Sequence, residues 1–150
     1  MKTKKVKTLL ILLLLATTFG QAQIIDPVKW STQTKKVSET EYDLILIAQI
    51  EESYHLYSQH VPDGGPRPTT FIFEKSEDFK LVGKMKEEKG KTVHDPVFEM
   101  RIKSFETEAK FVQRIKIKNK DNFKIVGEIE FMTCNDSQCI FNYDDFEFEI

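Results

Sequence analysis

Tyr42-Asp43-Leu44-Ile45-Leu46-Ile47-Ala48-Gln49-Ile50 decides how the rest of the chain is read. Tyr42, Leu44, Leu46, Ala48 and Ile50 share one parity, and Ile45 and Ile47 hold the other. That period of two, carried largely by branched and aromatic residues, suits a pleated strand. Apolar residues on both parities predict a strand inside a sheet, covered on both faces over part of its length.

The same period recurs on either side. Phe71 and Phe73 alternate with Ile72, and further strands are predicted over 28–35, 54–57, 79–85, 100–105, 110–118, 123–132 and 141–150, about nine in all. Turn chemistry separates them at Ser38-Glu39-Thr40, Pro62-Asp63-Gly64-Gly65-Pro66, Glu88-Lys89-Gly90, Asn119-Lys120-Asp121-Asn122 and Asn135-Asp136-Ser137. Turns roughly 8 to 15 residues apart are the pattern of an antiparallel sandwich. No segment carries the i, i+3, i+4 spacing of a crossover helix, which excludes parallel α/β architectures. The reading is all-β, an antiparallel β-sandwich in one domain without internal repeats, with 58–68 as its longest irregular stretch.

Composition agrees. The 150 residues hold 22 Lys and Arg against 24 Asp and Glu, with 40% hydrophobic residues, which fits one globular domain. A balanced charge offers no concentrated basic surface for phosphates, so nucleic acid is set aside as a partner. Residues 1–22 form a predicted signal peptide. Lys2, Lys4, Lys5 and Lys7 precede an eight-residue apolar run over 9–16, and small residues Gly20 and Ala22 suit cleavage after Ala22. The run is too short to span about 30 Å of hydrocarbon. Export leaves a domain over 23–150 with 18 basic and 24 acidic residues, net −6. About 128 residues bury roughly two-thirds of their unfolded surface and need no staple to fold.

The strongest chemical signal is Glu130-Phe131-Met132-Thr133-Cys134-Asn135-Asp136-Ser137-Gln138-Cys139-Ile140-Phe141, which holds both cysteines. It reads as a hairpin whose facing strands bring Cys134 and Cys139 within bridging range. An inert staple is one reading, common in exported proteins. So short a ring stabilises by only about 2 kcal/mol, however. An exchangeable pair at a reachable hairpin tip is the other, and geometry alone leaves both open.

Together with Tyr54-His55-Leu56-Tyr57-Ser58 and Gly65-Pro66-Arg67-Pro68-Thr69-Thr70-Phe71, this hairpin resembles the amino-terminal periplasmic domain of the thiol:disulfide interchange protein DsbD, over nearly the whole chain after the leader. The resemblance implies an immunoglobulin-like β-sandwich in the periplasm. It also implies a protein-disulfide oxidoreductase that relays electrons between a membrane or periplasmic donor and thioredoxin-fold proteins, without cofactor or metal. Cys134 and Cys139 would be the catalytic pair, with Cys139 facing the partner. A family cap loop with an aromatic lid falls at His94-Asp95-Pro96-Val97-Phe98, making Asp95 and Phe98 cap residues. The other reading of Phe98 is a core phenylalanine in a strand. Tyr54 and Tyr57 line the approach to the pair or pack in the core.

The chain departs from the family in having four residues between its cysteines instead of five, followed by Ile140-Phe141-Asn142 instead of prolines. The family's membrane and carboxy-terminal thioredoxin-like domains are not in this sequence, so a stand-alone relay needing a separate donor is expected. The competing class is a non-enzymatic cell-envelope binding module with a structural disulfide.

Asp136, Asp144 and Asp145 flank the pair without a lysine or arginine in the hairpin, predicting raised thiol pKa values and slow reaction with small thiols. His55, His60 and His94 show no metal-ligand spacing. Asn135-Asp136-Ser137 matches a glycosylation sequon but reads as a turn. The tail over 143–150 alternates acidic and apolar residues, as a final strand with one solvated face does.

Overall fold

The computed structural model describes residues 25–118 and 122–150; the leader assigned to 1–22 and most of the 119–122 turn lie outside them. The described residues contain ten strands and no helix: β1 (Val28–Lys36), β2 (Glu41–Ile50), β3 (His55–Tyr57), β4 (Thr70–Phe73), β5 (Phe79–Glu87), β6 (Lys91–Asp95), β7 (Met100–Phe105), β8 (Glu108–Ile117), β9 (Lys124–Cys134) and β10 (Cys139–Glu149). They form two antiparallel sheets, one ordered β1-β2-β8-β5 and the other β10-β9-β3-β7-β6, with β4 also on β9.

β2 is interior to its sheet, flanked by β1 and β8 along nearly its whole length. Leu44, Leu46 and Ala48 are fully buried on the inter-sheet parity, and Ile47 is buried on the other. Facing them across the sandwich, the odd positions of β9, Ile125, Ile129 and Phe131, join Phe111, Phe146 and Phe148 in one core. Trp30 seals its middle, with rings of Phe131 at 5.5 Å and Phe71 and Phe111 at 5.8 Å. β10 follows the predicted alternation: Phe146 and Phe148 turn inward while Asp145, Glu147 and Glu149 face water.

The strand not expected from sequence is β6, Lys91-Thr92-Val93-His94-Asp95. It sits at the sheet edge with Val93 half exposed, so it buries no apolar face and leaves no alternation to read. His94 and Asp95, read as loop, are its last two residues.

Two short strands share one edge of β9. β3 takes its end, pairing His55 with Cys134 and Leu56 with Thr133, and β4 takes its middle, pairing Thr70 with Glu130 through Phe73 with Gly127. The chain between them must therefore leave the sheet. Its neck is closed where the Thr69 amide donates to the Ser58 carbonyl (3.2 Å) and the Thr69 hydroxyl to that of Tyr57 (2.6 Å). Gly127 lies where the strands crowd: an added Cβ would fall 2.3 Å from the Ile72 carbonyl oxygen and 2.4 Å from the Phe146 ring.

Candidate functional site at the cysteine hairpin

The β9–β10 register sets Cys134 opposite Cys139, and the two are joined by a disulfide. At the next position toward the tip, the Asn135 amide donates to the Gln138 carbonyl at 2.9 Å. Ladder bonds alternate, so the cysteines occupy a pair without main-chain hydrogen bonds, the closely spaced kind; their Cα atoms are 4.1 Å apart. The tip is tied by Asn135 Oδ1, which accepts from the amides of Ser137 (2.9 Å) and Gln138 (2.9 Å) and from the Ser137 hydroxyl (3.0 Å). This is the side-chain turn chemistry that Asn-Asp-Ser signals.

Parity decides what surrounds the sulfurs. Thr133 and Phe131 point into the sandwich, so Cys134 and Cys139 stand on the outer face of their sheet. That face is not uniformly wet. Cys134 is 1% exposed, buried with Tyr57 and Ile102 under partly buried Val61, Phe98, Met100 and Met132, whereas Cys139 is exposed. Val61 comes from the excursion between β3 and β4, and Phe98 from the turn between β6 and β7. One cysteine is thus roofed by loops and the other open to solvent.

Asp95 organises the roof. Its Oδ1 accepts from the amides of Val97 (2.9 Å) and Phe98 (3.1 Å), and its Oδ2 from the Tyr57 hydroxyl (2.7 Å). Glu99 takes a left-handed conformation, φ 53°, to return the chain to β7. Phe98 meets Tyr57 edge-on at 6.0 Å. Burial pushes the Asp95 carboxyl upward, but the Tyr57 hydroxyl, both amides and His55 outweigh it and hold the group below its ordinary range. Burial, reinforced by Asp95, pushes the Tyr57 phenol far up. His55 Nε2 stands 3.8 Å from Asp95 Oδ2, and desolvation lowers the imidazole against the pull of Asp95, Glu106 and Asp136. At neutral pH it is therefore an uncharged neighbour of the carboxylate.

The residues singled out from sequence fall as follows. Cys134, Phe98, Asp95 and Tyr57 meet in one cluster with Cys139 at its margin. Phe98 lies on a turn and not in a strand. Tyr57 is 1% exposed and faces Asp95, not solvent. Tyr54 packs against the main core and accepts a hydrogen bond from Gln138 Nε2 at 3.0 Å, tying the hairpin tip to the residue just before β3. Of the three acids expected to crowd the sulfurs, only Asp136 is at the tip. Asp144 and Asp145 lie five and six residues beyond Cys139, paired with Ile129 and Glu128, about 17 Å or more along the strand.

Two neighbours escaped the sequence reading. Arg67 lies over the Phe141 ring, 5.2 Å from its centroid, placing a cation beside the strand that begins with Cys139. His55 stands directly across from Cys134. Alternation in Tyr54-His55-Leu56-Tyr57 already put His55 and Tyr57 on one face; the β3–β9 register, which no local pattern encodes, supplies the rest.

The sandwich thus bears on its outer face a disulfide with one sulfur roofed and the other open. The family model for the N-terminal region of the thiol:disulfide interchange protein DsbD matches residues 21–149, and the chain belongs to that family. Among solved structures, the reduced N-terminal domain of Neisseria meningitidis DsbD matches at 15% identity and a TM-score of 0.50, covering 85% of this chain and 89% of that one. The N-terminal periplasmic domain of Proteus mirabilis ScsB matches at 18% identity and a TM-score of 0.59, covering 87% of this chain and 49% of that one. At these identities the likeness is one of fold, an immunoglobulin-like β-sandwich. No curated protein matches the chain by sequence.

Proposed function

We propose that the protein is a periplasmic relay that exchanges electrons with thioredoxin-fold proteins through Cys134 and Cys139, exported by the leader over 1–22 and supplied by a separate membrane or periplasmic donor. Family membership supports the chemistry. The observation that carries the assignment to residues is the asymmetry of the pair, with Cys139 exposed and Cys134 buried.

In the oxidised protein a partner thiolate attacks Cys139 Sγ, the reachable sulfur. The bond to Cys134 breaks, Cys134 leaves as a thiolate that takes up a proton, and Cys139 is held in a mixed disulfide. A second partner thiolate then attacks the partner's own sulfur and releases Cys139. Two electrons have passed to this domain, and every step runs in reverse for delivery. Phe98, held through Asp95 and backed by Tyr57, caps the buried sulfur and limits access until a partner displaces it. Tyr54 positions the tip through Gln138.

A Cys134→Ser variant tests the reading. It removes this domain's second sulfur, so incubation with a thioredoxin that keeps only its first cysteine, activated as a mixed disulfide with thionitrobenzoate, should release the arylthiolate and accumulate a covalent complex through Cys139, visible as a mass adduct lost on reduction. The wild-type pair should show a reduction potential well above about −300 mV, the upper bound for inert structural bridges. A pair that stays oxidised at potentials below that, with no trapped complex, returns the protein to the class of binding modules with a structural disulfide.

A further inference from the structure

Three residues lie in a row across the outer face of the second sheet: His55 on β3, Cys134 on β9 and Cys139 on β10, each directly opposite the next. Opposed residues in antiparallel strands hold their Cβ atoms about 4.5–5.5 Å apart. The imidazole therefore flanks Cys134 on the side away from Cys139. Its ring is half-buried and meets Tyr57 edge-on at 5.0 Å, and its Nε2 faces Asp95 Oδ2 at 3.8 Å. A sulfur, an imidazole and a buried carboxylate in sequence is the arrangement by which a base is oriented toward a nucleophile.

We propose that His55 is the proton carrier of the Cys134 sulfur, with Asp95 as the residue that positions the ring and steadies its charged form. The proposal rests on the relay function above and deepens it. Cys134 has a specific need for such a group. Its sulfur is buried, which disfavours the thiolate it must become each time it attacks or leaves. The charged groups that face His55 are acidic: Asp95 on β6, Glu106 after β7, Asp136 at the hairpin tip, and Glu51 and Glu52 after β2 in the same cleft, while the cation Arg67 lies over Phe141 on the Cys139 side of the pair. The acids disfavour a thiolate nearby, and Arg67 stands on the side of Cys139. His55, neutral near pH 7 because burial outweighs those acids, is able to accept the proton.

For delivery to an oxidised partner, Cys139 thiolate attacks the partner disulfide and expels one partner thiolate. Cys134 then transfers its proton to His55 and attacks Cys139 Sγ. The S–S bond of the pair forms, the mixed disulfide breaks, and the second partner thiolate leaves. The pair has lost two electrons, the partner has gained them, and the imidazolium returns the proton to water.

Dithiobis(nitrobenzoate) separates the two attacks on the purified, reduced protein. The first arylthiolate reports attack by Cys139, and the second reports attack by Cys134 on the mixed disulfide. In wild type the second release should be nearly level between about pH 7 and pH 8, because a neutral base already accepts the proton. In both His55→Gln and His55→Tyr, the latter retaining an aromatic ring against Tyr57, it should slow by about tenfold or more at pH 7 and rise steeply with pH, with the first release little changed. Identical second-release rates and profiles in wild type and variants would overturn the role of His55 while leaving the relay standing. Failure of wild type to release a second arylthiolate would overturn the relay reading itself, and this inference with it. A measurement on wild type alone guards against misfolded variants: the imidazole titration followed by NMR should shift between the oxidised and reduced pair, and one indifferent to the state of Cys134 would overturn the assignment.

Discussion

Among the described residues, two apolar clusters stand on opposite sides of one sheet and are built by different rules. The core between the sheets gathers Leu44, Leu46, Phe111, Ile115, Ile129 and Phe131 from long paired strands, all on inward positions. The cluster on the outer face gathers Tyr57, Ile102 and Cys134 under side chains lent by a loop and a turn. Through Tyr57 it is hydrogen-bonded to the buried carboxylate of Asp95, which His55 adjoins. The first cluster excludes water to hold the sheets together. The second excludes it from one sulfur while leaving the bonded sulfur exposed. Burial in one place supplies stability, and in the other, on the proposed relay reading, it governs access to the sulfur.

Substitutions should separate these two kinds of burial. The largest effect is expected in the inter-sheet core: Phe111→Ala removes a fully buried ring packed on Phe71 at 4.9 Å and Phe105 at 5.7 Å. It should cost about 3–5 kcal/mol in urea unfolding, with the reduction potential of the cysteine pair unmoved. Asp95→Ala comes next. It leaves the Tyr57 hydroxyl and two turn amides without their acceptor, a cost of about 1–3 kcal/mol, and here alkylation of the reduced pair by iodoacetamide should also quicken as the roof loosens. Reduction of the disulfide should lower stability by no more than about 2 kcal/mol in the same urea experiment, since the closed ring is so short. Gln138→Ala, which removes an exposed bond to Tyr54, should cost about 0.5–1 kcal/mol.

Acid sharpens the same contrast. Asp95 and Glu87 are both held below their ordinary carboxyl values. For Glu87, burial pushes upward but Ser58, the Gln59 amide and Lys103 prevail. A carboxyl depressed in the folded state contributes stability that is complete above its unfolded value, about pH 4, and is lost as pH falls through the folded one. Asp95→Asn should therefore flatten the acid limb of a stability–pH curve measured by denaturant melts. Phe111→Leu should lower the whole curve and keep its slope. An acid limb unchanged in Asp95→Asn would mean that the carboxylate is not stabilised by its donors.

These contrasts also mark what could be read from sequence. The period of two in Tyr42 to Ile50 and the alternation of the 143–150 tail exposed parts of the inter-sheet core, because a strand's own alternation records which face is buried. Asn135-Asp136-Ser137 between two apolar runs was enough to set Cys134 against Cys139. β6 left no trace, since an edge strand with one apolar residue has no pattern to show. The meeting of His55 with Cys134 and of Tyr57 with Asp95 was equally silent. Both depend on β3, a strand of three residues, finding its place between β9 and β7. Long-range register comes from the packing of the whole sheet, and no window along the chain contains it.

Cys134 and Cys139 face each other at a rung of the ladder that carries no main-chain hydrogen bond. Opening the S–S bond there removes no main-chain hydrogen bond of the ladder, and the Asn135–Gln138 bond just beyond it does not involve the sulfurs. As the proposed relay, the domain would alternate between two chemical forms on one ladder. A partner that distinguishes them reads two sulfur atoms and their immediate cover instead of a change of shape. The difference in free energy between the forms is then a property of those few side chains, adjustable at Phe98, Asp95 or His55 without rebuilding the scaffold.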